Sequence, residues 1–410
     1  MFGWSREQKK TGSGPAGGQS AGRRLIAVLA QGRAQWTPRD YSALAREGFA
    51  RNAIAYRCIR MIAEAAASVP LEVRVRGRRA GDSHPLRQLI EQPNPEQGGA
   101  DLREQLYGAL QTAGNAYIEA VGEPEQPSEL WALRPDRMQV VPGARGWPEA
   151  YDYRVGGQVT RIRRDRRGWL PVLHLKLFHP LDDWYGFSPL EAAAFAIDVH
   201  NASGAWNKAL LDNAARPSGA LVYGRGDGSR LTEAQFQALR TELQEAHAGA
   251  SNAGRPMLLE GGLEWTPMAM SPADMDFIAG KHAAAREIAL AFGVPPQLLG
   301  IPGDNTYSTY KEAQAAFWRT TIGPLIDKTA RALGGWLAQT GGPLAGASLR
   351  PDLDQVAALS PERDALWQRA GQADFLSDSE KRAMVGLCPQ ETGPQIEKEA
   401  LKKTGVSPCD

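Results

Sequence analysis

Residues 287–300 read EIALAFGVPPQLLG, and this stretch predicts the end of a long helix and the start of an irregular segment. Proline cannot continue the helical hydrogen-bond ladder and it restricts the residue before it, so Val294-Pro295-Pro296 should end the helix. Thr309-Tyr310-Lys311-Glu312 has the pattern of a capped helix start. A projecting loop is expected between them, and its core is Gly300, Ile301, Pro302, Gly303, Asp304, Asn305, Thr306, Tyr307 and Ser308.

The helix before this loop should begin near Ser271, because Ser271-Pro272-Ala273-Asp274 combines a capping serine with a proline in the first turn. One face is apolar at helical spacing, with Phe277, Ile278, Ala284, Ala285, Ile288 and Phe292. The other face carries four polar residues, namely Asp276, His282, Arg286 and Glu287. Charges of both signs therefore line whichever surface that face meets.

A second long helix is predicted upstream, from Ser188-Pro189-Leu190-Glu191 to about Asn213, because serine can cap its first turn and proline suits the first helical position. Between the two long helices lie short β segments, Gly219–Tyr223 and Met257–Trp265, on either side of a helix from Thr232 to Ala248. The local order is thus helix, small α/β insertion, helix.

Strands dominate the first half of the chain. A helix should start at Asn52 and close before Pro70, and another, which Asp101 can cap with Glu104, should end at Gly114. Alternating segments follow at Asn115–Val121, Met138–Val141, Tyr151–Val155 and Val172–Phe178. Since 410 residues exceed one ordinary core, these patterns predict an α+β protein with several domains.

Both ends of the chain differ from its middle. Residues 1–40 are rich in Gly, Ser, Pro and Ala, which favours a flexible arm. Towards the other end, Gly323-Pro324 predicts a kink before the helix resumes through Leu325 to Leu337. Ser377-Asp378-Ser379-Glu380 marks a further helix start.

The charge balance argues against tight binding of nucleic acid. Lys and Arg total 47 against 46 Asp and Glu, a formal net charge of +1, whereas proteins that grip DNA carry a basic excess. A monomeric DNA-binding module is therefore disfavoured. A local arginine cluster in a predicted hairpin is either a nucleic-acid patch or a solvated hairpin tip; it comprises Arg161, Arg163, Arg164, Arg166 and Arg167.

Motifs of catalysis, cofactor binding and membrane insertion are missing from the sequence. Gly280-Lys281 is followed by His282 rather than by the serine or threonine of a phosphate-binding loop. The three cysteines match neither a disulfide framework nor a zinc spacing, and no apolar run reaches the ~20 residues that a bilayer span needs. We therefore expect no enzymatic activity, no cofactor, no metal and no membrane association.

One group of side chains offers an alternative from another functional class. His174, His179, Asp182 and Asp183 lie close in sequence, and imidazoles with carboxylates can ligate a metal ion. A metal-dependent hydrolase is the function that this group would support. The other interpretation is a hydrogen-bonded strand histidine followed by a turn at Pro180.

Several runs in order along residues 50–395 resemble the portal proteins of long-tailed double-stranded DNA phages, including the portals of gene transfer agents. The weaker runs are Asn52–Ile59, Val69-Pro70-Leu71, Pro93-Asn94-Pro95, Gly114–Glu119 and Tyr185–Leu190. The stronger runs are Asn213–Gly219, Gly254–Leu263, Glu287–Pro296 and Leu298-Leu299-Gly300.

The resemblance implies a portal fold in a dodecameric ring. Its parts would be an N-terminal arm at 1–40, an α/β wing at 41–187, a stem of two helices at 188–213 and 271–293, a clip at 214–270, a tunnel loop at 294–308, a kinked wing helix at 309–350, and a helical crown with a tail at 351–410. Residues 344–359 and the arm carry no family pattern, so their roles stay open.

The resemblance also implies the partners and the location. Double-stranded DNA would pass through the ring during packaging and ejection, with the loop of residues 300–308 and the polar stem face towards it. The clip, through Glu242 and Glu245, would contact the terminase large subunit and then the head–tail adaptor. The ring would also nucleate capsid assembly with the major capsid protein. It would stand at a unique capsid vertex of the virion after assembly in the bacterial cytoplasm.

Overall fold

A computed structural model of the chain describes residues 36–212, 219–223, 232–235, 237–238, 241, 263–267, 277–303 and 307–386. The α-helices named in this part are, in chain order, α1 Tyr41–Leu44, α2 Ala53–Ser68, α3 Pro85–Glu91, α4 Gly99–Ala113, α5 Pro189–Ala192, α6 Ala194–Asp212, α7 Phe277–Ala291, α8 Tyr307–Phe317, α9 Gly323–Ala338, α10 Ser360–Gln372 and α11 Asp378–Met384. The strands are β1 Leu71–Val75, β2 Arg78–Arg79, β3 Asn115–Glu123, β4 Gln126–Leu133, β5 Met138–Pro142, β6 Pro148–Val155, β7 Gln158–Arg163, β8 Val172–Lys176, β9 Gly219–Tyr223, β10 Leu263–Pro267 and β11 Ala347–Pro351. The predicted mixture of helices and strands is confirmed.

Helix α2 begins where the sequence predicted. The Asn52 side chain accepts hydrogen bonds from the backbone N–H groups of Ile54 and Ala55, at 3.1 and 3.0 Å, so it caps the first turn. The apolar stripe is buried, and it comprises Ala55, Cys58, Ile59, Ile62, Ala63 and Ala66. This stripe packs against α4 in the main core of the protein.

The start of α4 differs from the prediction that Asp101 caps it. The helix begins at Gly99, and Asp101 is the third helical residue, where its carboxylate accepts the N–H of Gly98 at 3.3 Å. An acidic side chain at this position stabilises the first turn as a cap would, which explains the displaced boundary. The predicted end is confirmed, since Gly114 adopts a left-handed conformation with φ +69°.

Two three-stranded antiparallel sheets, ordered β4-β3-β8 and β5-β6-β7, contain the alternating segments predicted from the sequence. Inward-facing residues of both sheets form a second hydrophobic core, made of Tyr117, Leu133, Met138, Val140, Tyr151, Ile162 and Val172. Phe178 does not belong to β8, which ends at Lys176, and its side chain is 82% exposed.

A third sheet, β11-β1-β2, joins distant parts of the chain. Strand β11 pairs with β1 in antiparallel register, with Val73 opposite Leu349. No strand was predicted for residues 344–359. The alternation of Ala347 and Leu349, both buried, is the local signal that was available for it.

The predicted kink at Gly323-Pro324 lies directly after a change of helix type between α8 and α9. Residues Trp318–Ile322 form a π-helical segment, and Pro324 lies in the first turn of α9, where a missing N–H costs no hydrogen bond. The predicted start of the preceding helix at Thr309 is wrong by two residues, because α8 begins at Tyr307.

The C-terminal part contains α10 and α11. The predicted cap at Ser377 is confirmed, with the Ser377 hydroxyl accepting the N–H of Glu380 at 3.3 Å and the Glu380 carboxylate accepting the N–H of Ser377 at 2.9 Å. These reciprocal bonds satisfy two free N–H groups of the first turn.

Candidate functional site

The two long helices of the predicted stem pack against each other as α6 and α7. Ser188 is buried and its hydroxyl accepts the N–H of Glu191 at 3.0 Å, as its sequence pattern predicts. The predicted single helix is broken, however, because α5 ends at Ala192 and α6 starts at Ala194. The predicted cap at Ser271 lies outside the described residues.

The apolar stripe of α7 is largely where the sequence placed it. Ala284, Ala285, Ile288 and Phe292 are all buried. Ile278 is the exception, since its side chain is 71% exposed. Ile278 lies in the first described turn of α7, outside the hydrophobic core that surrounds Ile288. The side chain of Phe277 lies outside the described residues.

Three of the four polar residues predicted on α7 can be placed, since Asp276 lies outside the described residues. Arg286 and Glu287 are exposed, and His282 is half-buried. These three residues lie outside the buried stripe of α7, so the surface of the helix that they form carries charges of both signs, as predicted. His282 and Lys281 also act on His200 of α6, whose pKa is lowered by burial and, in smaller part, by these two neighbours.

Helix α7 ends through a glycine motif rather than directly at the prolines. Gly293 has φ +66°, and its N–H donates to the Leu290 carbonyl oxygen at 3.0 Å. The N–H of Val294 donates to the Ala289 carbonyl oxygen at 2.9 Å. This bond pattern satisfies free carbonyl groups at the helix end. The Thr321 hydroxyl donates to the Gly293 carbonyl oxygen at 2.7 Å, which ties the end of α7 to the π-helical segment.

The residues of the predicted projecting loop do not all project: one of them is buried and two belong to the next helix. Pro296–Leu299 forms a 3₁₀ turn and Gly300 follows it with φ +68°. Ile301 is only 5% exposed and packs with Ala285 and Ala289 of α7. Tyr307 and Ser308 begin α8, and residues 304–306 lie outside the described residues.

Little of the predicted clip can be placed. Strands β9 and β10 pair in antiparallel register, with Leu221 opposite Trp265. The predicted cap at Thr232 is confirmed, because its hydroxyl accepts the N–H of Gln235 at 3.3 Å. Glu242 and Glu245 lie outside the described residues.

A partly buried network of side-chain amides, which was not predicted, joins α2 to the first stem helix. The Asn52 side-chain amide donates to the Asn201 carbonyl oxygen at 2.9 Å and contacts Nδ1 of His200 at 3.2 Å. The Asn201 amide in turn donates to the Glu47 backbone carbonyl at 3.0 Å. No local pattern indicates these contacts, since about 150 residues of chain separate the partners.

His174 is a hydrogen-bonded strand histidine, one of the two interpretations that the sequence left open. Nε2 lies 2.9 Å from Oδ1 of Asn115, which also accepts the Gly186 N–H, so Nε2 is the donor. Nδ1 then accepts from the Tyr151 hydroxyl at 3.2 Å. Burial, helped by the charge of Lys176, lowers the pKa of His174 to about 3.

The other residues of the suggested metal group make turn contacts. Nδ1 of His179 accepts the Leu181 N–H at 3.0 Å, and the Asp182 carboxylate accepts the N–H groups of Trp184 and Tyr185 at 2.7 and 2.9 Å. The Asp183 backbone carbonyl accepts from Lys176. Among the described residues, no three His, Cys, Asp or Glu side chains lie close enough to hold a metal ion together. The contacts therefore give the hydrolase hypothesis no support.

The arginine cluster lies on β7 and on the turn after it. Arg161 holds Asp152 through two bonds of 2.7 and 2.9 Å and keeps the pKa of that carboxyl below its usual range. Arg164 donates to the Gly168 carbonyl oxygen at 2.8 Å, and Arg167 pairs with Glu125. Three of these guanidinium groups thus bind acceptors of the protein itself. The cluster does not lie at a hairpin tip as predicted, because the tip of the β6–β7 hairpin is formed by Gly156 and Gly157. Over the described ranges no helix is both long and apolar enough to cross a bilayer.

The comparisons with known proteins agree with the resemblance. The sequence profile described as phage portal protein matches residues 53–386. A solved chain in the neck of an empty gene transfer agent (GTA) particle, computed with C6 symmetry, is 54% identical with a TM-score of 0.67, covering 88% of this chain and 96% of that one. A chain in the neck of a native particle, computed with C12 symmetry, is 53% identical with a TM-score of 0.66 over the same shares. The probable portal protein of Streptomyces phage phiC31 is 27% identical over 355 residues, 82% of this chain and 75% of that protein. The chain belongs to the phage portal protein family.

Proposed function

We propose that this chain assembles into a dodecameric ring at a unique capsid vertex, and that double-stranded DNA is packaged and ejected through the ring. The observation that carries the proposal is the similarity, at 53–54% identity over 88% of the chain, to chains in the necks of GTA particles. Those necks were computed with cyclic symmetry, and head-to-tail contacts that close by rotation produce rings.

The elements suit the parts that such a ring requires. The sheets of residues 41–187 and the interrupted helices α8 and α9 would form the wing, and α6 and α7 would form the stem. The β9–β10 pair would belong to the clip, and α10 and α11 to the crown. The arm of residues 1–40 stays without a proposed role.

The charge of the chain fits a channel along which DNA slides. A strongly basic wall would hold phosphates through many contacts, each adding salt-dependent affinity. A net charge of +1 and the mixed signs of His282, Arg286 and Glu287 on α7 avoid such a grip. The tunnel loop, with its glycines and short polar side chains, would touch the DNA backbone without holding it.

The proposed partners follow from the same role. The clip would dock the terminase large subunit and later the head–tail adaptor, with Glu242 and Glu245 in the contact, and the ring would nucleate assembly of the major capsid protein. The chain would act as a conduit without catalysis or a cofactor. Assembly would take place in the bacterial cytoplasm before the ring becomes part of the virion.

Mass photometry with negative-stain imaging of the purified protein tests the ring. A dodecamer of 44.4 kDa chains would weigh about 530 kDa and show a central hole. Monomers or dimers at micromolar concentration, together with particles whose vertex lacks a ring of this chain, would refute the proposal. Replacing Glu242 and Glu245 should weaken motor docking without disrupting the ring.

Deleting Asp304–Thr306 tests the tunnel loop separately. If the loop acts on the genome, the shortened chain should still form rings and enter capsids, but each particle should retain less DNA. A full-length genome in such particles would remove the loop from the proposed function and leave the ring assignment unaffected.

A further inference from the structure

Part of the proposed tunnel loop is attached to the stem. Arg286 of α7 donates from Nη2 to the backbone carbonyl oxygen of Pro302 at 2.5 Å. One residue earlier on the same helix, Ala285 packs against the buried side chain of Ile301. A polar and an apolar contact therefore hold two consecutive loop residues on one helix.

The backbone of the segment favours this attachment. Gly300 has φ +68°, a left-handed conformation that ends the 3₁₀ turn Pro296–Leu299 and that L-residues adopt only at a cost. The next residue, Ile301, is buried with Ala285 and Ala289, which lie one turn apart on α7. An ideal Cβ on Gly303 would lie 3.8 Å from Nη2 of Arg286, so the chain still runs beside this guanidinium there.

The hydrogen bond of Arg286 is exposed to solvent, whereas the side chain of Ile301 is buried. A hydrogen bond from a charged guanidinium is stronger than one between neutral groups, and a buried isoleucine contributes apolar area that water would otherwise cover. An arginine side chain has five N–H donors, so most of those of Arg286 are not used in the bond to Pro302. Arg286 can therefore hold the loop and still belong to the mixed polar face of α7.

We propose that Arg286 is a positioning residue for the tunnel loop: with Ile301 it holds Gly300–Pro302 against the stem helix. This inference rests on the proposed function, in which the loop contacts DNA. The attachment fixes where along the stem the DNA-contacting part begins. It also shortens the part of the loop that can enter the channel.

Amide hydrogen exchange in the purified, assembled full-length protein tests the attachment without DNA. Arg286→Ala and Ile301→Ala should each speed exchange at the amide of residue 301, whose N–H donates to the Pro296 carbonyl oxygen at 3.4 Å, by about tenfold or more, since each removes one of the two contacts. Arg286→Lys, which keeps a charged donor, should restore part of the protection. Arg369→Ala is the matched control, because Arg369 also donates to a backbone carbonyl but within α10.

In Arg286→Ala, exchange at the α7 amides of Ala284 to Ile288 and the thermal unfolding midpoint should stay unchanged, which separates a local release from a folding defect. Ile301→Ala should lower the midpoint, because it removes buried apolar area. Unchanged exchange at residue 301 in both alanine variants would overturn the proposal. So would faster exchange without any recovery in Arg286→Lys.

Particles assembled with the same variants test the consequence for DNA. A released loop should change the DNA retained per particle in both alanine variants, although only one of them alters charge. Wild-type DNA content despite faster exchange would refute the positioning role in genome retention. A wild-type protein that forms no ring would instead refute the proposed function itself, so the two failures are distinguishable.

Discussion

The backbone of Gly114, at the end of α4, lies directly against the backbone of Gly186, which precedes the first stem helix. A Cβ atom on Gly114 would come within 2.5 Å of the Gly186 carbonyl oxygen, and a Cβ on Gly186 would clash in the same way with the carbonyl oxygen of Gly114. The Asn115 side chain secures the contact by accepting the Gly186 N–H at 2.7 Å. Both glycines belong to runs that resemble portal proteins, and this close approach is the physical reason for glycine at both positions.

Gly114→Ala and Gly186→Ala should therefore both destabilise the protein. At Gly114 the left-handed φ alone costs an L-residue about 1–2 kcal/mol, and the clash adds to it. Gly108→Ala is the matched control, because it lies inside α4 with no atom within 4 Å of an added Cβ. It should be stabilising by about 0.5–1 kcal/mol.

The stability of the three variants is compared by thermal unfolding at one fixed protein concentration. The midpoint should fall for Gly114→Ala and Gly186→Ala and rise slightly for Gly108→Ala. A wild-type midpoint for Gly186→Ala would show that the two backbones can separate at little cost.

The sequence predicted helices and strands well where the interacting residues lie in one short run of the chain. The caps at Asn52, Ser188 and Ser377 could be found because side chain and backbone partner lie within three residues of each other. The pairing of β1 with β11 could not, because each strand is short and its partner lies about 280 residues away. For the candidate site, the sequence indicated the apolar and polar faces of α7. It did not indicate the bond from Arg286 to Pro302, which depends on how the loop folds back after Gly300.

His174 should make the stability of the protein depend on pH. Its pKa in the folded protein is about 3, lowered from the ordinary 6.5 mainly by burial, so the unfolded chain binds its proton first as the pH falls. The stability from the neutral, buried imidazole is complete above pH 6.5. It is lost progressively as the pH falls from there towards 3, by at most about 1.4 kcal/mol per pH unit.

His174→Gln removes this titration and keeps a polar side chain for Asn115 and Tyr151. The unfolding free energy of the wild type should therefore fall more steeply than that of the variant between about pH 6.5 and pH 5. Carboxylates titrate in both proteins, so the difference between the two slopes is the quantity to measure. Parallel slopes would mean that His174 is accessible to protons in the folded state.

The buried pair Tyr107 and Thr329 links α4 to α9 through hydroxyl groups 3.0 Å apart. Thr329 donates its proton to backbone carbonyls of its own helix, those of Leu325 and Ile326, each at 3.0 Å. The Tyr107 hydroxyl is therefore the donor between the two residues.

Thr329→Val should cost more than Tyr107→Phe. The first change leaves a buried tyrosine hydroxyl without an acceptor, at about 1–3 kcal/mol, whereas the second leaves Thr329 with its carbonyl partners, at about 1 kcal/mol. The double variant should lose less than the sum of both, and a double-mutant cycle in urea measures the difference. Additive losses would exclude the hydrogen bond.

Asn52 combines two roles that substitutions can separate. Its carbonyl oxygen caps α2, and its amide donates to Asn201 of the first stem helix. Serine caps helices well but is too short to reach Asn201, so Asn52→Ser should lose the bridge and keep the cap, whereas Asn52→Ala should lose both.

The difference in unfolding free energy between Asn52→Ser and Asn52→Ala should then be about 1 kcal/mol, the contribution of a cap. The difference between the wild type and Asn52→Ser should be about 1 kcal/mol more, the contribution of one hydrogen bond, because the half-buried side-chain carbonyl of Asn201 loses its donor. Because the bridge attaches the stem to α2, rings of Asn52→Ser should also dissociate at lower urea concentration than wild-type rings, and equal dissociation midpoints would limit the role of Asn52 to the helix cap.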